Sequence, residues 1–238
     1  GSGDVSFTGA DKVIANVINQ PKAVVNVSGK RITVSGLAAG TYTLNVTTVA
    51  DENHTAVRET AAITVNKVNS TLTVGDVDLD YGESKNVTVK AQGATGITAK
   101  IDDVDVGVID FVVPVSDLAT GTHTLTVTSI PDENHTAVTE TAIITVNKVD
   151  STLTVPAISF DYGDSGSSVV EFTGATGVVA VVNDLYAVVD VNGKTITVFN
   201  LTAGTYILTV TTIPDDNHNE VTKTAAVTVL KQDVDVNI

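Results

Sequence analysis

The residues best equipped for chemistry fall in three similar loops: Asp51-Glu52-Asn53-His54, Asp132-Glu133-Asn134-His135 and Asp215-Asp216-Asn217-His218. Carboxylate and amide oxygens this close together could hold calcium, which takes about six to eight oxygen ligands. One such loop offers about three, so a second loop or a chain junction would have to complete the shell. The alternative needs no ion. Asp and Asn side chains fold back onto the amides of their own loop, and the histidine packs over it as a lid. We favour that reading, and no metal or cofactor is expected. Asp76, Asp78 and Asp80 alternate along one strand and read as a solvated face.

Other chemistry is poorly supported. Lys100 could suggest a Lys–Asn isopeptide crosslink, but the equivalent positions hold Asn16 and Val181. Lys100 also alternates with Ile97, Ala99 and Ile101, which puts it on the solvent side. The fourth histidine, His123, is not in one of the loops. No Ser sits in a nucleophile motif, Cys is 0, and no glycine loop is built to cradle phosphate. A loop repeated three times with drifting residues is not how an active site is built. The chain is read as a non-enzyme.

The loops lie inside a longer repeated stretch. It begins at Gly40 (GTYTLNVTTVADENHTAV), Gly121 (GTHTLTVTSIPDENHTAV) and Gly204 (GTYILTVTTIPDDNHNEV), with starts 81 and 83 residues apart. A fixed period of that size marks an array of small domains. Tyr42, Leu44 and Val46 alternate with Thr43, Asn45 and Thr47, the period-two pattern of a half-buried strand. Each stretch is therefore a strand, a polar loop and a strand. Short Val/Thr-rich runs elsewhere, separated by turn residues such as Asp161-Tyr162-Gly163 and Asn192-Gly193, give seven or eight strands in the third unit, the most complete. That is the pattern of an antiparallel sandwich.

Units of about 80 residues bury little surface and usually need disulfides, a metal or stacked neighbours. With Cys 0, Trp 0 and Met 0, the cores must be built from Val, Ile, Leu and Ala, and regular strands or packing between neighbours must compensate. A net charge of −15 argues against nucleic acid and anionic lipid as partners. No apolar run is long enough to span a bilayer, so no membrane insertion is expected. Gly1-Ser2-Gly3, with no signal peptide, reads as a processed or excised start.

Leu37-Ala-Ala-Gly-Thr-Tyr42 and Leu201-Thr-Ala-Gly-Thr-Tyr206 carry a further signal. In immunoglobulin-like sandwiches a tyrosine at this corner returns its hydroxyl to upstream backbone. Tyr42 and Tyr206 are the expected corner tyrosines. His123 replaces them in the second unit, which on this ground is expected to be the least stable.

Taken together, Ser-Thr-Leu-Thr-Val, Asp80-Tyr-Gly-Glu-Ser84, Gly-Ala-Thr-Gly, the Leu-Ala-Ala-Gly-Thr-Tyr corner and Asp-Glu-Asn-His-Thr-Ala-Val resemble group 3 bacterial Ig-like domains. They are most similar to the tandem copies in adhesin-like surface proteins of methanogenic archaea, and the likeness covers nearly the whole chain. The resemblance implies an all-β chain of three tandem immunoglobulin-like β-sandwiches, extracellular and at the cell surface, in a non-enzymatic adhesive role. Its partners would be neighbouring repeats, copies of itself or other cell surfaces. The expected units are residues 1–68, 69–149 and 150–232, followed by 233–238. Junctions of about three residues without Gly or Pro predict an extended rod. An alternative function is a ligand- or glycan-binding adhesion module. If the chain is exported, seven Asn-x-Ser/Thr sites could carry glycans: Asn26, Asn45, Asn53, Asn69, Asn86, Asn134 and Asn200.

The two ends do not match. Asp4–Gly9 aligns with Val169–Gly174, so the first unit lacks the counterpart of Ser151–Ser165. Asp233–Ile238 aligns with Asp150–Val155, a first strand belonging to none of the three units. Two readings follow. The sequence is an excerpt cut out of register from an array, or it is a filament subunit. In the second case Val234, Val236 and Ile238 of one copy enter the groove beside Val5 and Phe7 of the next by strand donation, which replaces part of the absent segment and leaves the counterpart of Ile158–Asp164 unfilled.

Overall fold

The computed structural model describes residues 1–233, and every regular element among them is a β-strand. Val234, Val236 and Ile238, the expected donor residues, lie outside the described residues. No helix is long and apolar enough to cross a membrane. Contacts gather the chain into two compact units. One holds Gly1–Gly75, Asn86–Pro114 and Thr124–Ala142; the other holds Asp76–Lys85, Val115–His123 and the chain from Ile143 onward. The division crosses the second repeat, because the strands Gly121–Pro131 and Thr139–Asn147 each run from one unit into the other.

In the first unit, the first repeat forms two three-stranded sheets. Ser2–Asp4 and Val24–Ser28 flank Arg31–Ser35, while Val13–Val17 and Arg58–Val65 flank Gly40–Thr48. The register confirms the alignment read from sequence: Ser2 faces Thr33 as Ser167 faces Thr197 in the third repeat. From the second repeat the same unit contains Thr71–Thr73 paired with Lys90–Gln92, and Ala94–Ile101 paired with Val104–Val106 and with Gly121–Pro131.

In the second unit, the third repeat is the complete form. Ile158–Asp161, Thr222–Leu230, Gly204–Pro214 and Ala175–Val182 make one sheet. Ser165–Val169, Thr195–Phe199 and Val188–Asn192 make the other, and Thr152–Thr154 pairs with Glu171–Thr173. The alternation works as the period demands: Leu208, Val210, Val227 and Val198 are fully buried, and they join Leu153, Ile158 and Phe160 in one apolar core. The hairpin at Asn192-Gly193 forms one residue later than expected. Asn192 pairs with Thr195, so Gly193 and Lys194 make the turn.

In the second and third repeats one strand of the larger sheet departs from the antiparallel pattern. Ile158–Asp161 runs parallel to Val227–Leu230, and in the second repeat Val77–Asp80 runs parallel to Ile144–Asn147. The chain therefore crosses from one sheet to the other near its start. Thr152–Thr154 pairs with Glu171–Thr173 and Ile158–Asp161 with Thr222–Leu230, and Leu153, Ile158 and Phe160 of this one segment all enter the core.

Candidate docking groove and loop joints

Among the described residues no such segment packs on the first repeat. A cavity of about 1370 Å³ opens between its sheets, with Val5, Phe7, Leu44 and Ile63 among its walls. Val34, Leu44, Val46 and Ile63 are half-buried there. Their counterparts Val198, Leu208, Val210 and Val227 are fully buried. Gly166 shows what is missing. A Cβ on it would lie 2.4–2.5 Å from Phe160 and Ile158, so those side chains pack directly on the glycine. Gly1, its counterpart, has nothing within 4 Å in that direction.

Both expected acceptor residues line this groove. Val5 and Phe7 are half-buried, and Lys30 lies 5.3 Å from the Phe7 ring, as Lys194 lies 5.2 Å from Phe172. Phe172 stands opposite Leu153 in the Thr152–Thr154 pairing. Residues Ser6–Thr8 thus match the Glu171–Thr173 strand without the partner that orders it.

The three Asp-x-Asn-His loops are lids, as the second of the two readings predicts. Asp132 Oδ1 accepts from Asn134 N (2.8 Å) and from His135 Nδ1 (2.6 Å); Asp215 does the same with Asn217 N (2.9 Å) and His218 Nδ1 (2.6 Å). Asp51 accepts from Asn53 N at 2.8 Å and His54 Nδ1 at 2.9 Å. The histidine hydrogen bond is the leading cause that holds the Asp132 and Asp215 carboxyls below their ordinary value; for Asp51 the Asn53 amide leads, followed by His54. Each ring lies over a glycine with positive φ. A Cβ at Gly9, Gly93 or Gly174 would meet the imidazole at 2.7, 2.4 or 2.4 Å. No group of three or more metal-ligating side chains occurs among the described residues. Asp76 and Asp78 are exposed and accept from Ile143 N (2.8 Å) and Asn147 Nδ2 (2.7 Å). Lys100 is exposed, with its amine 3.7 Å from Asp105.

The loops have a second role that the sequence did not reveal. Ala39 N donates to Asn134 Oδ1 (2.7 Å), and Thr120 N donates to Asn217 Oδ1 (3.0 Å). Each asparagine thus holds the corner of the preceding repeat. The linkers are held too. Val68–Asn69 pairs in parallel with His135–Thr136, and Val149–Asp150 with His218–Asn219. Ser70 and Ser151, both buried, donate from Oγ to the Gly93 and Gly174 carbonyls at 2.9 Å. The recurrence of Ser before Thr-Leu in both repeats was the available signal for that contact.

The corners form as expected. Tyr42 donates to the Ala38 carbonyl and Tyr206 to the Thr202 carbonyl, both at 2.9 Å. His123 Nε2–H donates to the Ala119 carbonyl at the same 2.9 Å, so the substitution keeps the corner bond.

Among the glycosylation candidates, Asn26 and Asn86 are exposed on strands. Asn45 donates from Nδ2 to Asn16 Oδ1 (3.0 Å) and accepts from Arg58. Asn69 accepts from Thr136 Oγ1 (2.7 Å), and Asn134 is engaged in a joint. Asn53, in the same loop position as Asn134, is exposed. Asn200 has φ 62° and donates to the Tyr186 carbonyl.

Two facing sheets per repeat, the corner bond and the cross-sheet first segment define an all-β chain of tandem immunoglobulin-like sandwiches. No protein-family model and no curated protein matches it. Similar solved structures include titin domains I67–I69 (10% identity, 98% of this chain and 93% of that one, TM-score 0.41) and the titin I9–I11 tandem (14%, 97% and 92%, TM-score 0.32). Drosophila N-cadherin EC1-4 is matched at 14% identity over 93% of this chain, with TM-score 0.37. The chain spans 66% of that cadherin fragment.

Proposed function

We propose that the chain is a non-enzymatic structural segment of an extracellular, cell-surface adhesive filament. Copies join when residues 233–238 of one enter the open groove of another. The groove is the observation that carries this reading. It exposes a core that the other repeats close with their own first segment. Asp233–Ile238 has the pattern of the first strand of that segment, Asp150–Val155, with Val236 in the place of Leu153 opposite the phenylalanine; the places of Ile158 and Phe160 are not supplied by it. Val234 stands where Ser70 and Ser151 stand, exchanging one hydroxyl contact for apolar contact. Backbone pairing supplies affinity in such additions, and the side-chain pockets supply selectivity. The high negative charge keeps a long exposed assembly soluble.

The test uses the full chain and a form lacking residues 233–238, followed by sedimentation velocity and electron microscopy over a concentration series. Concentration-dependent linear oligomers that vanish in the shortened form are expected. A full chain that stays monomeric at hundreds of micromolar would overturn the reading, as would oligomers that survive the deletion. If a synthetic Asp150–Asp161 peptide binds a chain that does not self-associate, the groove belongs to a neighbouring repeat of a longer array.

A further inference from the structure

Two joints inside this chain have the same anatomy. In each, the loop asparagine accepts a corner amide, from Ala39 at one joint and Thr120 at the other. In each, the linker runs parallel to the residues that follow the asparagine. The second joint adds an aromatic contact: Tyr81 meets the His218 ring edge-on, with centroids 5.5 Å apart.

One half of each kind has no counterpart half among the described residues. On the first repeat, Asn53 and His54 occupy the receiving position. The His54 side chain is 52% exposed, against 27% for His135 and 19% for His218, so exposure falls as more of a joint is present. On the third repeat, Ala203 is the exposed counterpart of Ala39 and Thr120, and Tyr162, the counterpart of Tyr81, is 51% exposed. Lys231, Gln232 and Asp233, in the position of the linkers, are exposed as well.

We infer that these halves meet between two copies of the chain. The Ala203 amide donates to Asn53 Oδ1, Tyr162 packs edge-on against His54, and Gln232–Asp233 lies parallel to His54–Thr55. This deepens the strand-addition reading and rests on it. It assigns a second contact surface, made of residues that are already folded before the copies meet. It also gives direction, since the corner of one copy can engage only the loop of another. Asn53 is a contact residue here, which makes a glycan on it incompatible with assembly.

The sequence has Cys 0, so engineered cysteines report the contact cleanly. The full chain bearing Asn53→Cys and Ala203→Cys is oxidised at the concentration where the unmodified chain associates. Ala39→Cys with Asn134→Cys serves as the in-chain control, closing without linking copies. A reducible ladder of covalent oligomers is expected from the first pair. Separately, Asn53→Ala keeps the loop's own amide bonds and removes the acceptor. It should raise the association midpoint about fivefold, the loss of one hydrogen bond of about 1 kcal/mol. If the control closes but no ladder forms, and Asn53→Ala leaves the midpoint unchanged while deleting 233–238 abolishes association, the joint is wrong and strand addition stands. If the deletion also has no effect, both fail.

Discussion

Leu44 and Leu208 hold the same position in two repeats, and the structure predicts very different costs for removing them. Leu208 is fully buried within a closed core, whereas Leu44 is half-buried at the wall of the open groove. Truncating a buried leucine to alanine costs about 2–5 kcal/mol, from lost transfer energy and the cavity left behind. Leu208→Ala should fall in the middle of that range. Leu44 already faces solvent on one side, so it forfeits less transfer energy and leaves no enclosed void, and Leu44→Ala should cost roughly 1 kcal/mol. In domains this small, about 1 kcal/mol moves the midpoint by about 4–8 °C. Leu208→Ala should therefore lower the transition of its own repeat by roughly 15–25 °C, and Leu44→Ala by roughly 5 °C. The assay is calorimetry on a dilute chain lacking residues 233–238, with hydrogen exchange read by mass spectrometry to assign each transition to a repeat. Adding the Asp150–Asp161 peptide should raise the cost of Leu44→Ala toward that of Leu208→Ala, because the groove then closes over position 44. Equal losses for the two variants without peptide would refute the open core. The same reasoning reverses the expected order of stability. The corner substitution at His123 ranks the second repeat last, yet its bond is kept, while the first repeat lacks a closed core. The first repeat should melt first.

Three further outcomes follow from local geometry. Gly174→Ala should destabilise the third repeat by roughly 1–3 kcal/mol, because the position has φ 69° and its Cβ would collide with the His218 ring; chemical denaturation measures it. Tyr206→Phe removes the bond to the Thr202 carbonyl and should cost roughly 1 kcal/mol by the same method. The Asp132 and Asp215 carboxyls are held low by their histidines. Their contribution to stability is complete above the unfolded carboxylate range, near about pH 4, and is lost as pH falls through the lower folded value. Asp215→Asn should flatten that acid limb for the third repeat, and an unchanged limb in the melting temperature would count against the clasp.

Much of this architecture was legible because strands declare their faces. Alternation in Tyr42-Thr-Leu-Asn-Val46 and its counterparts identifies the core residues, and the match of Asp4–Gly9 to Val169–Gly174 gives the register found against Arg31–Ser35. Partner and direction were not legible. Period two says which side chains of Val77–Asp80 turn inward but not that the strand lies parallel to Ile144–Asn147, since both directions bury the same residues. The joints were hidden for a related reason. Ala39 and Asn134 are far apart in sequence, and an amide oxygen in a polar loop looks the same whether it accepts from its own backbone or from another repeat. The signal lay in the coincidence of three repeated features, the corner, the linker and the loop, which become one object only in space.

The energetics of strand addition explain why such a joint would matter to a filament. Burying Val234, Val236 and Ile238 yields about 1.5–3 kcal/mol each, and a few new backbone hydrogen bonds add about 1 kcal/mol apiece. Fixing six free residues costs about 1–2 kcal/mol each. The two sides nearly cancel, so six residues alone form a weak connector. The corner, the loop and the two aromatic rings are folded beforehand and cost little to order, so nearly all of their contact energy favours association. In the proposed assembly Asn53 and Ala203 therefore strengthen the joint about fivefold, while the strand is required for joining and decides which groove is filled. That division has a measurable form. Removing the loop acceptor should weaken association without exposing the groove, whereas Val236→Asp should leave Asn53 and Ala203 as they are yet abolish the protection that association gives the Ser6–Thr8 amides in hydrogen exchange.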